Sequence, residues 1–111
     1  MQVKTNEYGV AVYLTPDGPL VEENLPAFEQ TVSAAREREG SQLVVDMKHV
    51  HTLDSKGLEF LHDLSIELRE AGGSLRLASP NALCAEILSL TDLDQTIPVF
   101  ADIESAGRSF L

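Results

Sequence analysis

Residues 43–47 constrain the fold of this chain more than any other segment. Their sequence, Leu-Val-Val-Asp-Met, is nearly continuous in apolar residues, which is typical of a central β-strand covered on both faces. We therefore expect the single charge, Asp46, at the end of the strand. A strand of this kind needs neighbouring strands and helical layers, and 111 residues are enough for one such domain but not for two.

Segments of strand and helix periodicity alternate along the rest of the chain. We predict strands at residues 8–14, 43–47, 74–78 and 97–100, a loop at 15–19, and helices that begin at Glu22, Ser55, Ser79-Pro80 and Asp102. Strands and helices that alternate with short connections predict the α/β class. We expect a single domain over residues 1–111, with a mostly parallel central sheet of four to five strands and about four helices.

Each of the four predicted helices has a stripe of apolar residues that should face the core, which in the fourth helix consists of Ile103, Ala106 and Phe110. Glycines supply their ends, at Gly40 for the first helix and at Gly72-Gly73 for the second. The stripes consist of Leu25, Phe28, Val32 and Ala35 in the first helix, Phe60, Leu61, Leu64, Leu68 and Ala71 in the second, and Leu83, Ile87 and Leu90 in the third.

The charge of the chain limits its partners. Asp and Glu outnumber Lys and Arg by 18 to 8, which gives a formal net charge of -10, and the acidic residues are spread along the chain. Such a surface repels phosphate backbones and anionic lipid. We therefore expect a protein partner, with neither direct nucleic-acid binding nor membrane binding.

Targeting and cysteine signals indicate a cytoplasmic protein. Residues 1–7 lack the basic segment and apolar run of a secretory signal, and no window approaches the roughly 18 apolar residues of a membrane span. The single cysteine, Cys84, excludes an internal disulfide framework and a thiolate zinc cluster. We expect neither a cofactor nor a bound metal, and we expect the Cys84 thiol to be buried.

The loop between residues 47 and 55 is the expected site, because ligands of open α/β sheets gather at the carboxyl ends of strands. Asp54 and Ser55 are both N-cap residue types, and Gly57 should leave the backbone accessible. A phosphate on Ser55 would place about -1.5 to -2 charges at a helix N-terminus, where free amides favour anions. From the residues alone, Ser55 is either a plain helix cap or a modified switch residue.

The segment 43–58, LVVDMKHVHTLDSKGL, resembles without a gap the strand-loop-helix signature of STAS domains in anti-sigma-factor antagonists. The similarity extends to Gly72-Gly73 before a strand, to Ser79-Pro80 at the start of a helix, and to residues 88–94 and 97–100. It therefore covers nearly the whole chain from Gly18 onward.

This resemblance implies a partner-switching regulator. The unphosphorylated form would bind an anti-sigma factor or related serine protein kinase and free a sigma factor. Phosphorylation of Ser55 would break that association, and a phosphatase would reverse it. We expect a monomer or weak dimer without catalytic residues, in which Leu20, Val21 and Leu58 are exposed. The expected partner-binding residues are Gly18, Leu20, Val21, Glu22, Asp46, Asp54, Lys56, Gly57, Leu58 and Phe60.

Three positions depart from the family pattern. Lys56 replaces a second small hydroxyl residue, Val21 replaces an Asp that often follows Gly-x-Leu, and Asp92 replaces a helix-ending Gly. The first two changes lie at the expected site, where Val21 removes a polar neighbour of Ser55 and adds an apolar one. They point to a different kinase or to the absence of phosphorylation.

Two other interpretations start from the same residues. An enzyme would use Ser55 as a nucleophile with His49, His51 or His62 as the base, but the motif is not a Gly-x-Ser-x-Gly elbow and acidic neighbours do not activate a hydroxyl. The other alternative is a non-phosphorylated STAS module that acts as a scaffold or binds a nucleotide or lipid. The chain contains no phosphate-binding loop of the Gly-x-x-x-x-Gly-Lys type.

Overall fold

A computed structural model describes all residues from Met1 to Leu111. Five strands and four helices form one α/β domain, which confirms the predicted fold class. The strands are β1 (Gln2–Tyr8), β2 (Ala11–Asp17), β3 (Gln42–Asp46), β4 (Ser74–Ala78) and β5 (Val99–Phe100). The helices are α1 (Leu25–Ala35), α2 (Ser55–Glu70), α3 (Ala82–Leu90) and α4 (Ile103–Arg108), with 3₁₀ turns at Glu22–Asn24 and Leu93–Gln95.

The strands lie in the sheet in chain order, from β1 to β5. β1 is antiparallel to β2, and every other neighbouring pair is parallel. Parallel β-α-β connections are right-handed as a rule, which for strands in chain order places α1, α2 and α3 on one face of the sheet. Phe28, Leu61 and Leu88, one from each helix, pack in the same buried cluster as Leu43 and Val45 of β3.

The opposite face of the sheet is covered by α4. Val44 packs there with Ala106 of α4 in a second, smaller buried cluster. Successive side chains of a strand point to opposite faces, so Leu43 and Val45 face α2 while Val44 and Asp46 face the α4 side. The prediction of a central strand covered on both faces is confirmed, but the strand runs from Gln42 to Asp46, one residue earlier than the predicted 43–47, so that Asp46 is its last residue.

The prediction of one strand at residues 8–14 is wrong. Tyr8 ends β1 and pairs with Ala11 at the start of β2, so a hairpin turn through Gly9 and Val10 divides the segment. Gly9 has φ +59°, a left-handed conformation that a glycine adopts without strain. The predicted loop at 15–19 is also too long, since Thr15, Pro16 and Asp17 belong to β2.

The start of α3 also differs from the prediction. Asn81, and not Ser79, caps the helix by accepting a hydrogen bond from the backbone N–H of Cys84 at 2.7 Å. Ser79 instead has φ +57°. Leu83 and Leu90 are exposed, and Cys84 and Leu88 face the core in their place. None of the four helices is long and apolar enough to span a membrane.

Candidate functional site

Ser55 is the first residue of α2 and is exposed to solvent. The preceding residue, Asp54, has extended backbone geometry and caps the helix: its Oδ1 accepts a hydrogen bond from the backbone N–H of Gly57 at 2.8 Å. The cap function is therefore performed by Asp54, which leaves the Ser55 hydroxyl at the helix start without a capping role.

The second carboxylate oxygen of Asp54 reaches a different segment of the chain. Oδ2 accepts a hydrogen bond from the backbone N–H of Glu22 at 2.9 Å. These two hydrogen bonds lower the pKa of Asp54 below its ordinary value of 3.8. The bond from the Glu22 N–H has the larger effect and the bond from the Gly57 N–H the smaller one. The carboxylate thus stays ionised at neutral pH and joins the two segments.

Backbone hydrogen bonds hold residues 18–22, which we call the site loop, against the segment before α2. Gly18 N–H donates to the His49 carbonyl at 3.2 Å, Leu20 N–H donates to the Thr52 carbonyl at 3.1 Å, and Asp54 N–H donates to the Leu20 carbonyl at 3.3 Å. Leu20 also forms a parallel bridge with Leu53. The site is therefore pre-organised by main-chain contacts.

Leu20 and Gly57 lie in the interior of this junction. Leu20 is fully buried in the main core, so its predicted exposure is wrong. Gly57 is buried as well, and a Cβ at this position would lie 2.0 Å from the Leu20 carbonyl oxygen. Gly57 permits a close approach between α2 and the site loop. The prediction that its backbone is accessible is wrong, because Gly57 is buried.

The exposed part of the junction carries charge of both signs. Lys56 follows Ser55 and is exposed, as are Glu22 of the site loop and Glu59 one turn along α2. Val21 and Leu58 are half-buried and supply the apolar part of this surface. The structure therefore brings Gly18, Leu20, Val21, Glu22, Asp54, Ser55, Lys56, Gly57 and Leu58 together as one continuous region.

Asp46 and Phe60, the other two expected partner-binding residues, make side-chain contacts outside the site loop. Asp46 is only 2% exposed and emerges on the α4 side of the sheet, where its carboxylate accepts the Lys48 N–H at 3.2 Å and lies 3.7 Å from the Lys48 ammonium. The Phe60 ring packs on the Phe28 ring with 5.5 Å between centroids, beside a groove between α1 and α2.

Two asparagines outside the predicted set of site residues support the site. Asn24 Nδ2 donates to the Pro19 carbonyl at 2.8 Å and fixes the site loop from within. Asn81 Nδ2 donates to the His51 carbonyl at 3.2 Å and joins the start of α3 to the segment before α2. A signal for Asn81 was present, because an Asn immediately before an apolar run is typical of an N-cap.

The side chains that an enzyme or metal site would need are not assembled around Ser55. His49, His51 and His62 are exposed, and none of them forms a hydrogen bond with Ser55. No group of three or more His, Cys, Asp or Glu side chains could hold a metal ion. Cys84 is buried, as predicted, and its thiol donates to the Val50 carbonyl at 3.3 Å.

Sequence comparison finds relatives of similar length. A candidate anti-sigma factor antagonist of Thermotoga maritima is 28% identical over 96 residues, which are 86% of this chain and 85% of the relative. Among solved structures, the crystal structure of a candidate anti-sigma factor antagonist from that organism has a TM-score of 0.88 at 24% identity, and the alignment covers 96% and 92% of the two chains.

A second structural match shows that the same fold occurs in larger proteins. The murine anion transporter Slc26a9 matches with a TM-score of 0.78 at 27% identity over 91% of this chain, but over only 18% of the transporter. The family model of the STAS domain matches residues 2–106. This match spans the whole sheet and all but the last two residues of α4, and the chain therefore belongs to the STAS domain family.

Proposed function

We propose that this chain is an anti-sigma factor antagonist that binds an anti-sigma factor with serine kinase activity. The site loop and the first turns of α2 form the contact, and phosphorylation of Ser55 ends it. The observation that carries the proposal is the position of Ser55: an exposed hydroxyl at the first residue of a helix whose cap is supplied by Asp54. The names of the sequence relatives agree with this role.

The geometry favours a switch that acts on the partner and not on the fold. Asp54 already binds both Glu22 and Gly57 through its two oxygens, so a phosphate on Ser55 has no internal bond to replace. The phosphate adds about -1.5 to -2 charges beside Asp54 and the exposed Glu22 and Glu59. A partner that buries this surface must desolvate the added charge, which costs several kcal/mol without a matching cation.

The remaining parts of the proposal follow from this mode of action. The chain binds its partner and does not catalyse a reaction, and a phosphatase removes the phosphate from Ser55. The regulation takes place in the cytoplasm, where the chain is a monomer or weak dimer. Lys56, which follows Ser55, and Val21 of the site loop set which kinase recognises the site. The groups that bear on recognition are thus exposed or half-buried, whereas Leu20 and Gly57 maintain the shape of the site.

The decisive experiment combines phosphopeptide mapping with binding. The chain is incubated with ATP and each serine kinase of the anti-sigma type encoded in its own genome, and labelled peptides are identified by mass spectrometry. We expect label on Ser55 and none in Ser55→Ala. Ser55→Asp should weaken binding to the same kinase by at least about tenfold, whereas Ser33→Asp, an exposed control on α1, should bind as the wild type does.

Two results would contradict the proposal in different ways. If Ser55 carries no label and Ser55→Asp binds with unchanged affinity, Ser55 is not a switch and the chain is a phosphorylation-independent scaffold. If none of the kinases binds and a nucleotide or lipid added as a control binds saturably, the chain is a small-ligand module.

A further inference from the structure

Helix α3 has an apolar face that no part of the chain covers. Its inward side chains, Cys84 and Leu88, are buried in the main core. Leu83 and Leu90 are nevertheless 51% and 76% exposed, and Ile87 is half-buried between them. Residues at i, i+4 and i+7 lie on one side of a helix, so Leu83, Ile87 and Leu90 form a continuous apolar stripe.

This apolar stripe differs from the other exposed apolar residues. A helix that is apolar on its outer as well as its inner side is typical of a buried helix. The remaining large exposed apolar residues are Tyr8 and Val10 at the β1–β2 hairpin and Leu111 at the end of the chain. The apolar stripe is therefore the only group of exposed large apolar residues on a helix, which indicates a protein contact.

The charged residues near the apolar stripe indicate which kind of partner segment binds there. Between Arg76 and Arg108 the chain has no lysine or arginine, and this segment includes all of α3. The acidic residues near the apolar stripe are Glu86 within α3 and Asp92 and Asp94 directly after it, whereas Asp102 and Glu104 lie at the start of α4 on the opposite face of the sheet. Arg69 of α2 also reaches this side of the sheet, where its guanidinium donates to the Thr96 carbonyl at 3.3 Å. A surface that is apolar at its centre and has an excess of acidic residues around it is complementary to an apolar segment with basic flanks.

The end of the apolar stripe is connected to the proposed site. Thr91 and Leu93 follow Leu90 and line a shallow depression together with Leu58, Glu59 and His62 of α2. Leu58 belongs to the first turn of α2, three residues after Ser55. A partner that covers Ser55 therefore reaches α3 by extending over this depression.

We propose that the apolar stripe of α3 docks a basic amphipathic helix of the protein partner, an inference that rests on the proposed partner-binding function. Leucine-type side chains of the partner helix pack on Leu83, Ile87 and Leu90, and its lysines or arginines face the acidic residues. A second copy of the chain fits poorly, because each copy carries a net charge of -10. An anionic bilayer is repelled for the same reason.

The test uses a defined probe and does not require the natural partner. A 14-residue synthetic peptide with leucines on one helical face and lysines on the other is titrated into isotope-labelled protein, and amide shifts are followed by NMR. We expect the shifts to concentrate at residues 83–93 and 58–62. A peptide with glutamates in place of the lysines should not bind.

Matched variants separate docking from general attraction to an acidic protein. The double variant Leu83→Ser/Leu90→Ser keeps the net charge and should weaken binding by at least about tenfold. Val10→Ser, which removes an equally exposed apolar side chain from the hairpin, should leave binding unchanged. Both variants change exposed residues, and unchanged backbone spectra outside the mutated sites establish that the fold is intact.

Four outcomes would overturn the proposal. The first is that the peptide does not bind, and the second is that it binds the double variant as tightly as the wild type. The third is a dimer in sedimentation that the double variant loses, which would make a second copy the occupant. The fourth is binding to vesicles of phosphatidylcholine and phosphatidylglycerol that depends on the same leucines. Because Ser55 is unmodified throughout, these results stand apart from the phosphorylation experiment.

Discussion

The Asp54 carboxylate accepts the backbone N–H of Glu22 at 2.9 Å across 32 positions of the chain, while its other oxygen caps α2. One side chain therefore both starts the helix that carries Ser55 and holds the site loop. Its replacement affects a local and a long-range contact together, whereas the replacement of a simple helix cap affects only a local one.

Asp54→Ala should consequently lower the midpoint of urea unfolding more than Asp102→Ala. Asp102 is a matched control, since it caps α4 through the Ser105 N–H at 2.7 Å and makes no contact with the site loop. Asp54→Ala should also broaden or shift the NMR signals of residues 18–22, while Asp102→Ala leaves them in place. Equal effects of the two variants on both measurements would contradict the tethering role of Asp54.

The titration of Asp54 gives an independent check on the same contact. The hydrogen bonds from Glu22 and Gly57 lower its pKa below 3.8, so the folded state binds the Asp54 proton less readily than the unfolded state. The stabilisation from Asp54 is thus fully present above the unfolded pKa and is lost as the pH falls through the lower folded pKa. NMR of the side-chain carboxyl should show a midpoint below 3.8, and the amide signals of both donors should titrate with it.

A midpoint at or above 3.8 would mean that the two hydrogen bonds are not formed in solution. Asp54→Asn supplies the control, because the side-chain amide of asparagine does not titrate in this range. The amide signals of the two donors should therefore lose their acid transition in this variant. The stability of this variant should also vary less with pH below about 4 than that of the wild type.

Gly57→Ala should destabilise the protein although the position is helical. An alanine in the interior of a helix ordinarily stabilises by roughly 1 kcal/mol relative to glycine. At Gly57 the new Cβ would meet the Leu20 carbonyl oxygen at 2.0 Å, and backbone cannot move aside as a side chain can. We expect a net loss of roughly 1–3 kcal/mol in the free energy of unfolding, as in other overpacked sites.

Gly107→Ala is the matched control for this prediction. A Cβ at Gly107 would meet the Tyr13 hydroxyl, which is the end of a side chain that can shift. Urea unfolding should therefore show a smaller loss for Gly107→Ala than for Gly57→Ala. If Gly57→Ala is as stable as the wild type, the close approach of α2 and the site loop does not exist in solution.

The elements of the domain interior were predictable because their signals are local. Residues 74–78 form β4 with the predicted bounds, and α2 starts at Ser55 as the cap residues indicate. Strand β1 was missed for the opposite reason. It is an edge strand with mostly polar, exposed residues, so its pattern does not differ from that of a loop.

The details of the site required the structure because they join distant parts of the chain. Leu20 looks like an exposed loop residue in the sequence, and only its bridge with Leu53 shows why it is buried. In the same way, the sequence predicts accessible backbone at Gly57, whereas in the structure Gly57 packs against the Leu20 carbonyl. Periodicity reports which face of an element is apolar, but not which loop packs against it.

The Cys84 thiol should react slowly in the folded protein. Burial raises its pKa, which lowers the fraction of reactive thiolate, and the surrounding core limits access. At pH 8 we expect iodoacetamide to modify native protein roughly a hundredfold more slowly than protein in urea, because modification requires local opening. Mass spectrometry gives the rate, and Cys84→Ala should show no modification. Equal rates with and without urea would place the thiol at the surface.

Leu20→Ala and Val21→Ala should separate the structural role of the site loop from its recognition role. Leu20 is fully buried, and truncation of a buried leucine costs about 2–5 kcal/mol. Val21 is half-buried, and its truncation should cost less than about 1 kcal/mol. Urea unfolding measures both values, and binding of the folded variants to the cognate kinase gives the second readout. Val21→Ala should weaken binding with only that small loss of stability, because Val21 lies between Leu20 and Glu22, whose backbones hydrogen-bond to Asp54 at the start of α2. A large loss of stability in this variant would assign Val21 to the core.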